Sequence, residues 1–182
     1  YSTARNEQLI VRMKRMLERT VWALTNQLRA GDFVPEAYEL RFFGGKIDRI
    51  DICETEEQIY VKVMDYKTGS KAFDVVALYH GLQLQLMIYM DAAVEFQKKR
   101  HPDKEVIPAG VFYYRIQDPL VDKTEDKEKA ERAVLKQLKP DGIIPLGTEI
   151  LKHLDHNTSG ESLAVPVKYN KNGSVSGYSK VV

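Results

Sequence analysis

A chain of 182 residues is long enough for one domain with a real core and too short for two comfortable ones. Hydrophobic residues at 43%, charged residues at 29% and the lack of any membrane-length apolar run indicate a soluble globular domain. The net charge of +1 argues against a broad electrostatic nucleic-acid binder, although an acidic metal site could offset basic contacts elsewhere. Cys53 is the only cysteine, which excludes an internal disulfide and any multi-cysteine metal site within the chain and fits a reducing cytoplasm. No basic start followed by an apolar block opens the sequence, so no signal peptide is expected. The first residue is Tyr1 and not Met, which leads us to expect a piece of something longer.

In chain order, Leu9, Met13, Met16, Leu17, Val21, Leu24 and Leu28 recur at helical spacing and predict an amphipathic helix over 5–30. It is expected to pack on a sheet, with Trp22 in the core, and to stop at Gly31. YELRFF (38–43) reads as a strand. Gly44-Gly45 then loosens the backbone ahead of a second strand, KIDRIDIC. The β-branched and aromatic run IYVKVMDYK is a third, ended by Thr68-Gly69-Ser70, so the three form an antiparallel meander. A second long helix is predicted over 75–99, with Leu78, Leu82, Gln85, Tyr89, Ala93 and Phe96 on one face and His101-Pro102 at its end. VIPAGVFYYRI (106–116) is nearly continuous in apolar and aromatic residues and reads as a strand buried on both faces. The charge run over 122–133 reads as a solvated loop and helix start, with the helix reaching Leu138. Pro140-Asp141-Gly142 suggests a turn, 147–155 a short helix, and the C-terminal stretch a hairpin around Asn172-Gly173.

Strand alternation groups the chemically interesting residues. It puts Lys46, Asp48 and Ile50 on one face of the second strand and Arg49 with Asp51 on the other. Asp65 and Lys67 share a face of the third strand, so pairing the two strands brings two carboxylates and an ammonium together at one end of the sheet. That set suits phosphodiester hydrolysis: carboxylate oxygens hold a hard cation such as Mg²⁺ or Mn²⁺, and Lys67 can position water and stabilise developing charge. A plain Asp65–Lys67 salt bridge is the bland alternative. Gln85 and Tyr89, four apart on a helix, point the same way, and a buried amide on an apolar face needs partners. His153 and His156 lie three apart on the short helix and are expected to be solvent-exposed. Cys53 reads as a buried thiol, His80 as a surface or supporting group, and Glu39 as a structural acid near the site.

GKIDRID, MDYKTG and the Q-x-x-x-Y pair Gln85/Tyr89 together resemble the PD-(D/E)XK nuclease domain of the RecB/AddB type. FVPEAYELRF, AGVFYYRIQDPLV and GSVSGYSKVV extend the likeness to the AddB type of bacterial helicase–nucleases over nearly the whole chain. The resemblance implies a restriction-endonuclease-like α/β fold with a mixed central sheet flanked by helices. It implies a single nuclease domain over residues 1–182, truncated at both ends of the native domain. It implies a Mg²⁺-dependent exodeoxyribonuclease working in double-strand break repair, with DNA (single strands preferred), the AddA subunit and the rest of an AddB chain as partners, in the bacterial cytoplasm.

By the same resemblance Asp48, Asp65 and the Tyr66 backbone carbonyl bind metal, Lys67 is the catalytic lysine, and Gln85 and Tyr89 lie beside the site and the DNA. Two family features are missing: no upstream helix carries the family's His or Glu ligand motif, and the four-cysteine iron–sulfur cluster is not supported. A non-catalytic module of the same fold, binding DNA or the partner subunit, and a stand-alone exonuclease of the superfamily are the alternative readings.

Overall fold

The computed structural model describes residues 3–181 apart from 70–72, 82, 123 and 178, so Ser70 and Leu82, named above, lie outside the described residues. A long helix, α1 (Thr3–Arg29), precedes three strands, β1 (Val34–Phe42), β2 (Gly45–Glu54) and β3 (Gln58–Lys67). Two helices, α2 (Val75–Tyr79) and α3 (Gln85–Arg100), lead to β4 (Glu105–Arg115). Then come α4 (Lys127–Gln137), β5 (Asp141–Ile143) and α5 (Thr148–Leu154). The sheet runs β1-β2-β3-β4-β5; every neighbouring pair is antiparallel except β3–β4, which is parallel. A parallel pair needs a crossover, and α2–α3 supplies it. The expected mixed sheet flanked by helices, its first three strands a meander, is therefore present.

Each face of the sheet buries its own apolar layer. On one side Ile50, Ile52, Ile59, Val61 and Val63 meet Leu86, Tyr89 and Ala93 of α3. On the other, Tyr60 and Phe112 meet Ile150, Leu151 and Leu154 of α5 together with Val165 and Val167 of the C-terminal segment. Residues Ala109–Tyr114 of β4 are buried on both faces, as the continuous apolar run requires.

Four expectations are corrected. The predicted helix over 75–99 is two helices: Gly81 adopts φ +76°, a left-handed conformation that ends α2, and α3 begins afresh at Gln85. Of Pro140-Asp141-Gly142, the last two open strand β5 and the three form no turn; a Cβ at Gly142 would stand 2.0 Å from the Val111 carbonyl, so glycine serves close strand approach there. The C-terminal hairpin is reduced to one antiparallel bridge, Tyr169–Val175, around a turn with Gly173 at φ +80°. Finally, α1 buries only Thr20 and Ala23, while Leu9, Met13, Leu17 and Val21 are exposed and Trp22 is half-buried. The sheet face opposite α3 is covered mainly by α5 and the C-terminal segment. Among the described residues no helix is long and apolar enough to cross a membrane.

Candidate active site

The β2–β3 ladder runs from Glu54↔Ile59 to Arg49↔Met64 and stops one step short of Asp48 and Asp65. At that step the Asp48 side chain replaces backbone pairing: its Oδ2 accepts the Tyr66 N–H at 2.9 Å. Its other oxygen takes no hydrogen bond from the described residues. The opposite neighbour is irregular as well. Tyr38↔Arg49 and Leu40↔Ile47 pair, but Glu39, between them, has φ +50°. Ile47 and Ile50 both belong to the apolar layer under α3. The Asp48 carboxylate reaches the end of β3 through its bond to Tyr66. Glu39 itself is exposed and accepts Lys46 Nζ at 2.9 Å, an ion pair across β1 and β2.

Asp65 follows Val61 and Val63 and is buried. Its carboxylate pairs with the Lys67 ammonium. Register with the parallel strand sets Asp65 against Tyr113, and Lys67 Nζ lies 5.2 Å from the centre of the Tyr113 ring. Burial works against the Lys67 charge, but the bond to Asp65 and the negative charges of Asp65 and Asp48 outweigh it, so the pKa is raised. Lys67 is thus a cation at neutral pH. Because the charges of both Asp65 and Asp48 reach it, the three groups form one electrostatic cluster at the carboxyl end of β3. Tyr113 was missed in the sequence because its contribution depends on the β3–β4 register, which no local motif encodes. Burial, first of all, raises the Tyr113 pKa and keeps its phenol neutral.

Gln85, half-buried at the first turn of α3, donates to the Tyr89 hydroxyl at 2.8 Å. Tyr89 is buried edge-on against Phe42, ring centres 5.6 Å apart, and a Cβ on Gly45 would stand 3.4 Å from its hydroxyl. The Gln85–Tyr89 pair therefore braces the start of β2, three residues before Asp48.

Arg49 and Asp51 point to the far face, as expected. Asp51 accepts Arg49 Nε at 2.5 Å and a second guanidinium nitrogen at 2.7 Å, and Lys62 Nζ lies 2.9 Å away. Arg49 also donates to the Tyr66 hydroxyl at 3.2 Å. Burial lowers the Lys62 pKa, and Asp51 opposes the shift without cancelling it. One residue, Tyr66, thus joins the two faces: its amide holds Asp48 and its side chain rests on the buried network.

Away from this cluster, His153 and His156 are not simply exposed. Both reach Asp32, His153 Nδ1 at 2.7 Å and His156 Nε2 at 2.8 Å. Cys53 is buried beside Asp32 and His153. His80 is exposed, as expected of a surface group. Asp48, whose second carboxylate oxygen takes no hydrogen bond from the described residues, forms with Asp65 a hard-oxygen donor set that fits a divalent ion of the Mg²⁺ or Mn²⁺ kind.

A family model described as the PD-(D/E)XK nuclease superfamily matches residues 2–168. The chain is 38% identical, over 99% of its length, to the B subunit of the ATP-dependent helicase/deoxyribonuclease of Lachnoclostridium phytofermentans. It is 36% identical over 96% of its length to the protein of the same name from Alkaliphilus metalliredigens, and 34% identical over 96% to that of Thermoanaerobacter sp.. The chain spans 17% of the length of each of these relatives. The matched stretch runs through Asp48, Asp65 and Lys67 and on to β5 and the segment after it: the chain belongs to the PD-(D/E)XK nuclease superfamily.

Proposed function

We propose that the domain hydrolyses DNA phosphodiester bonds with Mg²⁺ (or Mn²⁺) as the exonucleolytic part of a bacterial, cytoplasmic helicase–nuclease. It would act on single-stranded DNA and assemble with a helicase partner and the remainder of a longer chain. The names of the relatives, each the B subunit of a helicase/deoxyribonuclease, support that setting. The observation that carries the reading is the meeting of Asp48, Asp65 and Lys67 at one end of the sheet.

In this reading Asp48, Asp65 and the Tyr66 carbonyl hold the ion. When bound, the ion polarises the phosphoryl group and makes an attacking water more acidic. Lys67 stays protonated, so it is a donor and not the general base: it orients the water and faces the charge growing on the phosphoryl oxygens. Asp65 keeps that ammonium in place. Gln85 and Tyr89 fix the strand that carries Asp48 and border the path of the DNA.

The test is made in the full-length protein with its partner. Lys67→Ala should lower Mg²⁺-dependent DNA cleavage by about 10²-fold or more. Asp65→Asn should lower it as far, with DNA binding retained in both. Cleavage unchanged in either variant would remove the proposal.

A further inference from the structure

At the opposite end of β2 from the nuclease cluster, four side chains with metal-binding chemistry come together from three segments. Asp32 lies in the loop between α1 and β1, Cys53 near the end of β2, and His153 and His156 on and just after α5. Donor atoms of Asp32, Cys53 and His153 all lie within 4.8 Å of one another. His156 Nε2 approaches the second oxygen of the Asp32 carboxylate at 2.8 Å. Donors around a tetrahedral ion with bonds of about 2.0–2.3 Å sit roughly 3.4–3.8 Å apart, so Asp32, Cys53 and His153 lie near that spacing and His156 joins them through the Asp32 carboxylate.

The backbone holds the donors in place. The Asp32 N–H donates to the His153 carbonyl at 2.8 Å, and the His156 N–H donates to the Ala30 carbonyl at 2.7 Å. Gly31 lies so close that a Cβ there would stand 2.3 Å from the His153 carbonyl oxygen. His153 also packs on Tyr60, ring centres 5.1 Å apart, and Tyr60 pairs with Cys53 across the β2–β3 ladder. Two backbone hydrogen bonds and a ring contact thus fix the loop, the strand and the helix before any ligand arrives.

We propose that Asp32, Cys53, His153 and His156 form a second metal site, distinct from the nuclease cluster, that takes a borderline-soft divalent ion of the Zn²⁺ class. One sulfur, two imidazoles and one carboxylate favour Zn²⁺ or Co²⁺ over Mg²⁺, which prefers an all-oxygen shell. Cys53 is buried and His156 faces solvent, so the ion would sit at the rim, tying α5 and the start of β1 to the sheet. Binding moves no electrons. On binding, each imidazole shifts the proton it holds toward Asp32 to its other ring nitrogen and offers the freed lone pair, and the thiol proton passes to solvent as the Cys53–metal bond forms.

The test uses the folded chain and Co²⁺ as the probe, with Mg²⁺ in excess. One equivalent of Co²⁺ should bind with a thiolate-to-cobalt band in the near ultraviolet, and Zn²⁺ should displace it. Cys53→Ser should abolish that band. His153→Asn, nearer the surface, should weaken Co²⁺ binding by about tenfold or more while circular dichroism stays native. Asp65→Asn should leave binding intact, which separates this site from the nuclease reading. Absence of the band in the wild-type chain, or its persistence in Cys53→Ser, would overturn the proposal and leave a histidine–carboxylate clasp.

Discussion

Asp51 is the residue on which the hidden half of the site depends. It is fully buried and takes contacts from two cations, Arg49 and Lys62. Asp51→Ala would leave both cations in the interior without their counter-charge. The expected cost is about 3–5 kcal/mol in urea unfolding; a loss below about 1 kcal/mol would show that water or other groups stabilise them. Glu161 offers the pH test. Lys136 and then Lys139 hold its carboxyl down to about 2 from an ordinary 4.5. A carboxyl with a depressed folded pKa adds stability above its unfolded value, and that stability is lost as pH falls from about 4.5 toward 2. The pair is partly exposed, so the contribution is about 1 kcal/mol or less. Glu161→Gln should therefore be slightly less stable than wild type at pH 6, with the gap closing on acidification in thermal melts.

Whole elements show where local pattern suffices and where it fails. The meander was legible because β-branched and aromatic runs were separated by turn residues, and the Asp65–Lys67 pair follows from alternation along β3. Asp48 was legible as a partner on that face, but its bond to the Tyr66 amide was not, because it depends on where the β2–β3 ladder stops. The break between α2 and α3 hung on Gly81, one glycine in an otherwise helical pattern. Gly142 misled in the other direction: next to Pro140 and Asp141 it looks like a turn, yet it allows β5 to lie against Val111 and Phe112. Gly142→Ala should push β5 off β4 and cost about 1–3 kcal/mol, read from the unfolding midpoint. A midpoint equal to wild type would mean that the edge strand contributes nothing to stability. The Asp32–His153 pairing could not be read from sequence, since the partners stand 121 positions apart with no shared motif.

For the molecule as a whole, the long first helix stands largely apart from the core. Leu9, Met13 and Leu17 remain about half exposed, and ion pairs of Arg15 and Arg19 to Asp118 are among the ties that anchor this part of α1. Replacing Leu9 and Leu17 with Glu should change stability by no more than about 0.5 kcal/mol each in thermal melts. A larger loss would mean that this stripe packs on the domain in solution. The parallel pairing of β3 with β4 has a consequence in time. Asp48 and Asp65 belong to neighbours joined by three residues, Thr55–Glu57, which can close early and cheaply. Tyr113, under the lysine, arrives only after the whole α2–α3 crossover has been laid down, a long-range closure that forms slowly. A newly made chain should therefore own its pair of acids well before the floor beneath its amine is in place, and nuclease competence should lag behind the appearance of β-structure.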